Sequence, residues 1–553
     1  MQSRNQINKL INSPVFWIFL FIICISPLAL NYILHYVDEL HYTDAAIQML
    51  NSHDYFTPKQ ANGESRFLKP ILSYWMIVTS YKIFGVSQFS SRLPFLLCGI
   101  TIIWITYKTA FKLTKNKEIA LLSLLIVMSN PLLILSSSRS IPDIPQALFL
   151  GLAILGIAGI LSSESPNKKD LWLFYLGFSL AFETKGIPAL IFMAISTLFL
   201  LLNPWKRTRF SSLINWPAII VALLISLWWY ILMYYKHGNE FLFSFFNDQV
   251  GERISEDRYR ILRNFLFSII TPIGYFIFWI IPFFKDTKKN NWHTINKSAP
   301  VQLFSVLSFF WFSFLFLSSI FTVKFYDRYF LPVFPLLAII IAYNINKKEV
   351  FRYFNIINVI LVLFGILFSV LSIFIAIRLN NAYQLSLSIL VSSAFIFIFF
   401  LSRKNPTYEI KLKKTATLLL LIIFSSTVFI SNFALPDQGS QIAYFLKRNK
   451  IENQKIALYG EKKVAAKIRV ASNAEIDLDC IEPGNFIDIP EYDMIIFRED
   501  QPPGIADSYH QVQIISTEWN AFPIISILKG DTYQSSLKKH QINYKIASTK
   551  NHL

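Results

Sequence analysis

The run "VFWIFLFIICISPLALNYIL", Val15–Leu34, carries no charged residue, and "HYVDELHYTDA", His35–Ala45, follows it at once. Twenty apolar residues form a helix about as long as a bilayer's hydrocarbon core is thick, so the first stretch reads as a membrane span. More long apolar runs follow it closely, which argues against a cleaved signal peptide. The second stretch places two adjacent carboxylates, Asp38 and Glu39, where that span ends. As loop residues they would be solvated charges capping a helix. At membrane depth, acids are costly and tend to be retained for function.

The rest of the 553-residue chain repeats the first pattern. Hydrophobic residues make up 54% of it, aromatic residues 16% and charged residues 16%, against about 25% charged in soluble domains. Apolar length gives about 13 spans, near 14–34, 92–111, 118–136, 144–162, 171–184, 186–203, 214–235, 264–284, 301–322, 329–345, 355–377, 383–401 and 415–433. The pair at 171–203 is one long run interrupted by "ETKG". The chain is therefore expected to be a polytopic α-helical membrane protein over residues 1–433.

Loop charge orients it. "KLTKNK" (112–117), "ESPNKKD" (164–170), "PWKRTR" (204–209), "KDTKKNNWHTINK" (285–297), "NKKEVFR" (346–352) and "SRKNPTYEIKLKK" (402–414) occupy alternate loops with Arg4 and Lys9. They define one basic, cytoplasmic side. The net charge of +18 resides there, which removes the argument for a nucleic-acid partner. An odd span count puts the tail outside. From Asp437 onward 14 Lys/Arg face 15 Asp/Glu, and "KIALYG", "YDMIIFRE" and "QVQIIS" read as strands beside a helical "QIAYFLKRNK". Residues 434–553 are expected to form a small α/β domain on the outer side.

The outer face collects 35–91, 137–143, 183–185, 236–263, 323–328 and the tail. In loop 35–91, "FLKPILSYWMIVTSYKIFG" (67–85) is apolar but interrupted by Lys69, Pro70 and Lys82, as befits one or two amphipathic helices in the interface. Lys69 there is either a snorkelling lysine or a phosphate ligand. Asp143 sits between prolines in "SRSIPDIPQ", and Glu183 and Lys185 stand mid-run in "AFETKGIP", where an internal ion pair is the simplest reading. "NDQVGERISEDRYR" holds Arg253, and "KFYDRYFLPVFP" holds Lys324, Asp327, Arg328 and Tyr329. Clustered cations on a face that avoids positive charge suggest an anionic ligand. Asp38, Glu39, His41 and Asp44 leave a divalent cation with oxygen ligands open, although D-E-x-H is no recognised metal signature. The three cysteines include no CxxC pair and imply no disulfide framework.

Taken in order, "DELHY" after the first span, "KPILSYW" (69–75), "SRLPFLL" (91–97), the "PDIP" acid, "TKG" and "K…RYFLPVFPLLA" resemble the bacterial lipid A aminoarabinose transferase family. That family lies within the type-C glycosyltransferases, which include protein O-mannosyltransferases. The resemblance covers essentially the whole chain. It implies a type-C fold, 13 spans, an outer C-terminal domain, and transfer of a sugar from a polyprenyl-phosphate carrier to lipid A or a related glycolipid at the outer leaflet of the bacterial inner membrane. An amino sugar such as aminoarabinose is the expected cargo. By the resemblance Asp38, with Glu39 beside it, and Asp143 are the catalytic acids. Lys69, Arg253, Lys185, Lys324, Arg328 and Tyr329 would hold the donor phosphate. The chain departs from the family at Leu68, where a Glu is common, and at "ERISEDRYR", which stands in place of a His-Pro-rich segment. Other surface-glycan or protein O-mannosyl transfer is the alternative within the enzymes. A lipid-linked sugar transporter is the alternative outside them, but it would more often set its ionisable residues at the bilayer midplane.

Overall fold

The computed structural model describes residues 9–31, 36–249, 258–287, 299–322, 325–345, 351–378, 382–401, 407–433, 438–451, 454–476, 478–483, 492–503, 510–519 and 541–548. Each of the thirteen expected spans falls on a helix or on a broken pair of helices. They are, in order, α1 (Pro14–Asn31), then α2 (Val37–Ser52) and α3 (Leu72–Phe84) from the first loop, α4 (Gln88–Thr114), α5 (Lys117–Met128), α6 (Pro131–Ser137), α7 (Asp143–Ser162), α8 (Lys168–Lys185), α9 (Ile187–Leu202), α10 (Trp216–Gln249), α11 (Arg258–Tyr275), α12 (Ile277–Thr287), α13 (Pro300–Phe321), α14 (Phe334–Ile345) behind a 3-10 turn at Asp327–Val333, α15 (Phe351–Arg378), α16 (Ala382–Leu401) and α17 (Tyr408–Phe433). Among the described residues six helices are long and apolar enough to cross a membrane, or seven if the bent pair α5–α6 counts as one span. The remaining expected spans fall on helices that are shorter, broken or more polar.

The breaks have local causes. Asn116 caps α5 by accepting from the N–H groups of Glu118 and Ile119, and Asn130 caps α6 by accepting from those of Leu132 and Leu133. With Pro131 opening α6, the pair bends by 65°. Between α8 and α9, Gly186 has φ +78°, a conformation that side chains resist. It divides the long run at "ETKG". In α10, Gly238 at φ +56° ends the straight part of the helix, close to the expected span end at 235.

Packing separates a protein-facing from an apolar outer surface. Along α1, Trp17, Phe21 and Ile25 are buried while Val15, Phe19 and Ile23 are exposed, so one stripe meets the bundle and the other is left for lipid. Exposed Leu223, Leu224, Leu363, Phe364, Leu367 and Phe397 extend that outer surface. The tightest pair is α7 with α8. A Cβ at Gly156 would lie 2.6 Å from the Asp170 carbonyl oxygen, and one at Gly177 would lie 2.5 Å from the Ala153 nitrogen. Only glycine permits that approach. The buried tryptophans keep their N–H groups satisfied: Trp311 donates to Ser196 Oγ at 3.0 Å and Trp229 to the Phe56 carbonyl at 3.1 Å.

Beyond α17 the chain builds α18 (Gln438–Arg448), β1 (Ile456–Tyr459), α19 (Lys462–Ala471), β2 (Leu478–Ile481), β3 (Met494–Arg498), β4 (His510–Trp519) and β5 (Gln541–Ser548). The sheet runs β2-β1-β3-β5-β4, with β1 parallel to β2 and β3, and β5 antiparallel to β3 and β4. Three of these strands and α18 match the sequence expectation. Strands β2 and β5 and helix α19 are additional. Helix α19 docks on α2: the Arg469 guanidinium meets the Asp44 carboxylate at 2.6 Å, with both side chains buried.

Candidate active site

Helix α2 begins at Val37, so Asp38 and Glu39 occupy its first turn, where negative charge complements the helix dipole. Successive residues on a helix point about 100° apart, and the two acids accordingly meet different partners. Asp38 reaches the guanidinium of Arg328, 290 residues away on the 3-10 turn. Arg328 also donates to the Tyr36 hydroxyl. Burial, opposed in part by Arg328, pushes the Tyr36 phenol up to about 12, so it remains a neutral acceptor.

Asp143 opens α7 and is buried. Its carboxylate accepts from Lys185 Nζ at 2.5 Å and contacts Arg328 Nε at 3.3 Å. One buried acid thereby holds two cations from two other elements, α8 and the 3-10 turn. The Lys185 ammonium lies 4.2 Å from the centre of the Tyr329 ring, a cation–π contact that adds to its fixation. Arg139 stacks over Tyr36 at 4.3 Å. Lys69 donates to the Leu68 carbonyl at 2.7 Å, and it lies near enough for its charge to act on Asp143. Asp327 accepts from the Tyr275 hydroxyl at 2.6 Å and from the Arg328 N–H at 2.8 Å. Three acids (Asp38, Asp143, Asp327) therefore face four cations (Lys69, Arg139, Lys185, Arg328), and Asp38 keeps 40% of its side chain exposed against 4% for Asp143.

Glu39 is disposed differently. Arg92 donates to it twice, Nε to Oε1 at 2.7 Å and Nη2 to Oε2 at 2.9 Å, and the Ser140 N–H adds a third bond at 3.1 Å. Both side chains are fully buried. Glu39, expected beside Asp38 as a catalytic acid, thus accepts from Arg92 and Ser140 in a buried setting. The expected Glu183–Lys185 ion pair is replaced. Lys185 pairs with Asp143, and neither Glu183 carboxylate oxygen has a hydrogen-bond partner among the described residues. Arg253 and Lys324 lie outside the described residues. Among the described residues no three His, Cys, Asp or Glu side chains converge to hold a metal ion.

A cavity of about 280 Å³ adjoins the cluster. Lys185, Tyr329 and Gln146 are among its polar lining, and Ile187, Pro188, Ile191, Phe192, Phe314 and Phe321 supply its apolar walls. A second apolar cavity of about 390 Å³, lined by Leu198, Phe199, Leu202, Trp205, Val306 and Phe310, lies further along the same helices, α9 and α13. A charged mouth over an apolar gallery suits an amphiphile with an anionic head. Sequence reasoning missed Tyr36, Arg139, Gln146 and Tyr275. Arg139 and Gln146 flank Asp143 within "SRSIPDIPQ", and that proximity was the available signal.

Residues 68–231 match the family model described as dolichyl-phosphate-mannose-protein mannosyltransferase. An uncharacterised protein of Aquifex aeolicus is 29% identical over 327 residues, 58% of this chain and 61% of that protein. The undecaprenyl phosphate-alpha-4-amino-4-deoxy-L-arabinose arabinosyl transferase 1 of Pseudomonas fluorescens is 28% identical over 217 residues, 38% of this chain and 37% of that protein. The chain thus spans less than two thirds of the length of the curated relatives it matches. The crystal structure of ArnT from Cupriavidus metallidurans bound to undecaprenyl phosphate superposes with a TM-score of 0.72 at 15% identity, over 97% of this chain and 98% of that one. Over part of its length the chain is therefore similar in sequence to the mannosyltransferase family model and to undecaprenyl phosphate-aminoarabinose arabinosyl transferases, and over nearly all of its length it shares the fold of that ArnT structure.

Proposed function

We propose that the chain is a membrane glycosyltransferase that takes a sugar from a polyprenyl-phosphate carrier and moves it to lipid A or a related outer-leaflet acceptor. The cargo is an amino sugar of the aminoarabinose kind, and the cluster and residues 434–553 face the periplasm of a bacterial inner membrane. The observation that carries the reading is the Asp38–Arg328–Asp143–Lys185 chain at the mouth of an apolar cavity. The similarity to proteins named for undecaprenyl-phosphate aminoarabinose transfer supports it.

The chemistry follows from charge. The bond from the anomeric carbon to the carrier phosphate breaks, and its electron pair leaves with the phosphate. A bond from the acceptor oxygen to the same carbon replaces it. Negative charge grows on the leaving phosphate, so fixed cations beside it lower the barrier. Lys69, Lys185 and Arg328 fill that role, with Asp143 holding the latter two in place. Asp38 is more open than Asp143 and is placed to orient the acceptor, deprotonate it where it is a hydroxyl, or meet an amino group of the sugar. Direct attack inverts the anomeric centre. Lys185 and Arg328 reach Asp143 from separate elements, so they are positioned before substrate arrives.

Purified protein incubated with polyprenyl-phosphate sugars and either lipid A or a Ser/Thr peptide tests this. Sugar-bearing lipid A is the expected product. Modification of the peptide alone would favour protein O-glycosylation, the reading closest to the family model over 68–231. Absence of transfer to any acceptor, with unchanged lipid A in a deletion strain, would overturn the enzyme reading.

A further inference from the structure

The polar end of the cavity beside Lys185 contains a group that the ion-pair chain does not use. Gln146 lies three residues after Asp143 on α7, so it shares a face with that acid, one turn deeper. It lines the cavity with Lys185 and Tyr329. It is 4% exposed, and its amide nitrogen has no hydrogen-bond partner among the described residues. A buried amide donor without a partner is destabilising, and an apolar side chain of equal length would suit the neighbouring Ile187, Phe192 and Leu315 better. A ligand that supplies the missing acceptor would account for it.

We propose that Gln146 is a ligand-contacting residue: its amide donates to the phosphate of the prenyl phosphate that Lys185 also holds. This rests on the donor reading above and deepens it. A neutral donor fits the position. A sugar-bearing carrier is a phosphodiester with one negative charge, and the released carrier is a monoester with up to two. An amide bonds to both, and the bond strengthens as charge accumulates on the leaving oxygen. A glutamate of the same shape would instead repel that charge.

The test uses the full-length protein in detergent, with farnesyl phosphate and farnesol as probes, so that no sugar or acceptor is needed. Wild type is expected to bind farnesyl phosphate and to prefer it to farnesol. Gln146→Met keeps the length of the side chain and removes the donor. It should weaken farnesyl phosphate binding on the order of tenfold, leave farnesol binding unchanged, and leave the melting temperature of the empty protein equal or raised. Gln146→Glu should weaken farnesyl phosphate binding further. Unchanged affinity for farnesyl phosphate in both variants, with wild type binding it, would overturn this proposal alone. So would a lowered melting temperature with both probes weakened equally, since that marks a structural amide. Failure of wild type to bind farnesyl phosphate would overturn the donor reading and this proposal with it.

Discussion

Glu39 meets Arg92 through two hydrogen bonds where solvent does not reach, whereas Asp38, one residue earlier on the same helix, keeps 40% of its side chain exposed and shares Arg328 with Asp143. Both acids sit in the first turn of α2, and both find an arginine. They differ in what is left over. Glu39 accepts two bonds from Arg92 and a third from the Ser140 N–H, and the Glu39 and Arg92 side chains are both buried. Arg328 serves two acids and a tyrosine, and Asp143 serves two cations, so that network is not closed into pairs. A closed pair fixes α2 against α4 and the turn before α7. An open network beside a cavity can exchange a partner for a substrate group. The general lesson is that pairing stoichiometry and exposure, more than charge itself, separate a structural ion pair from a site.

The sharpest way to break this distinction is to remove one member of the closed pair. Glu39→Ala removes the acid that balances the buried Arg92 charge, a kind of loss that costs about 3–5 kcal/mol in other proteins. The expected outcome is a large loss of thermal stability in detergent and poor yield. Protein that does fold should retain transfer activity, measured per folded molecule. Full stability with lost activity would move Glu39 into the chemistry and reverse the comparison.

Asp38→Asn is the mirror experiment and the next largest effect. The amide keeps a contact to Arg328 but cannot accept a proton or balance a cation. Transfer should fall by about 10²–10³-fold, with melting temperature close to that of wild type because the side chain is substantially solvated. Activity within a few-fold of wild type would return Asp38 to the role of a helix-start acid favoured by the dipole.

How much of this could be read beforehand depends on range. The thirteen apolar runs and the "ETKG" break are local patterns, and each falls on the expected kind of element, whereas the acid pair after the first span lies in the first turn of a helix where a loop is expected. The partners of the acids are not local. Arg92 lies 53 residues from Glu39 and Arg328 lies 290 from Asp38, and nothing in "DELHY" says which acid each will take. The Glu183–Lys185 pairing was avoidable, since residues two apart on a helix point about 200° apart and rarely meet. Lys185 instead crosses to Asp143 on the neighbouring helix, which the glycines of the α7–α8 contact bring close. Strand β2 reads "LDCI", whose Asp479 is of a type depleted in strands, and it takes its form from pairing with β1.

The smallest effect concerns His41, two residues beyond Glu39 on α2. Burial, reinforced by the neighbouring Arg66 charge, lowers the imidazole to about 4 from an ordinary 6.5. The folded protein therefore binds fewer protons than the unfolded chain between pH 4 and 6.5, and stability must rise as pH rises through that window. At pH 5.5 the penalty is about 1 kcal/mol once solvent screening of a half-buried ring is allowed for. His41→Asn removes the titration, so its melting temperature should depend less on pH between 4.5 and 6.5 than that of wild type, and the two should converge in slope above pH 7. Asp38→Asn and Glu39→Ala should leave that slope in place, because neither is a leading cause of the His41 shift. Equal slopes in wild type and His41→Asn would mean that the ring gains a proton without cost. Asp38, the one acid among the forces on the ring, would then hold the histidinium, and the open network would extend along α2 to His41.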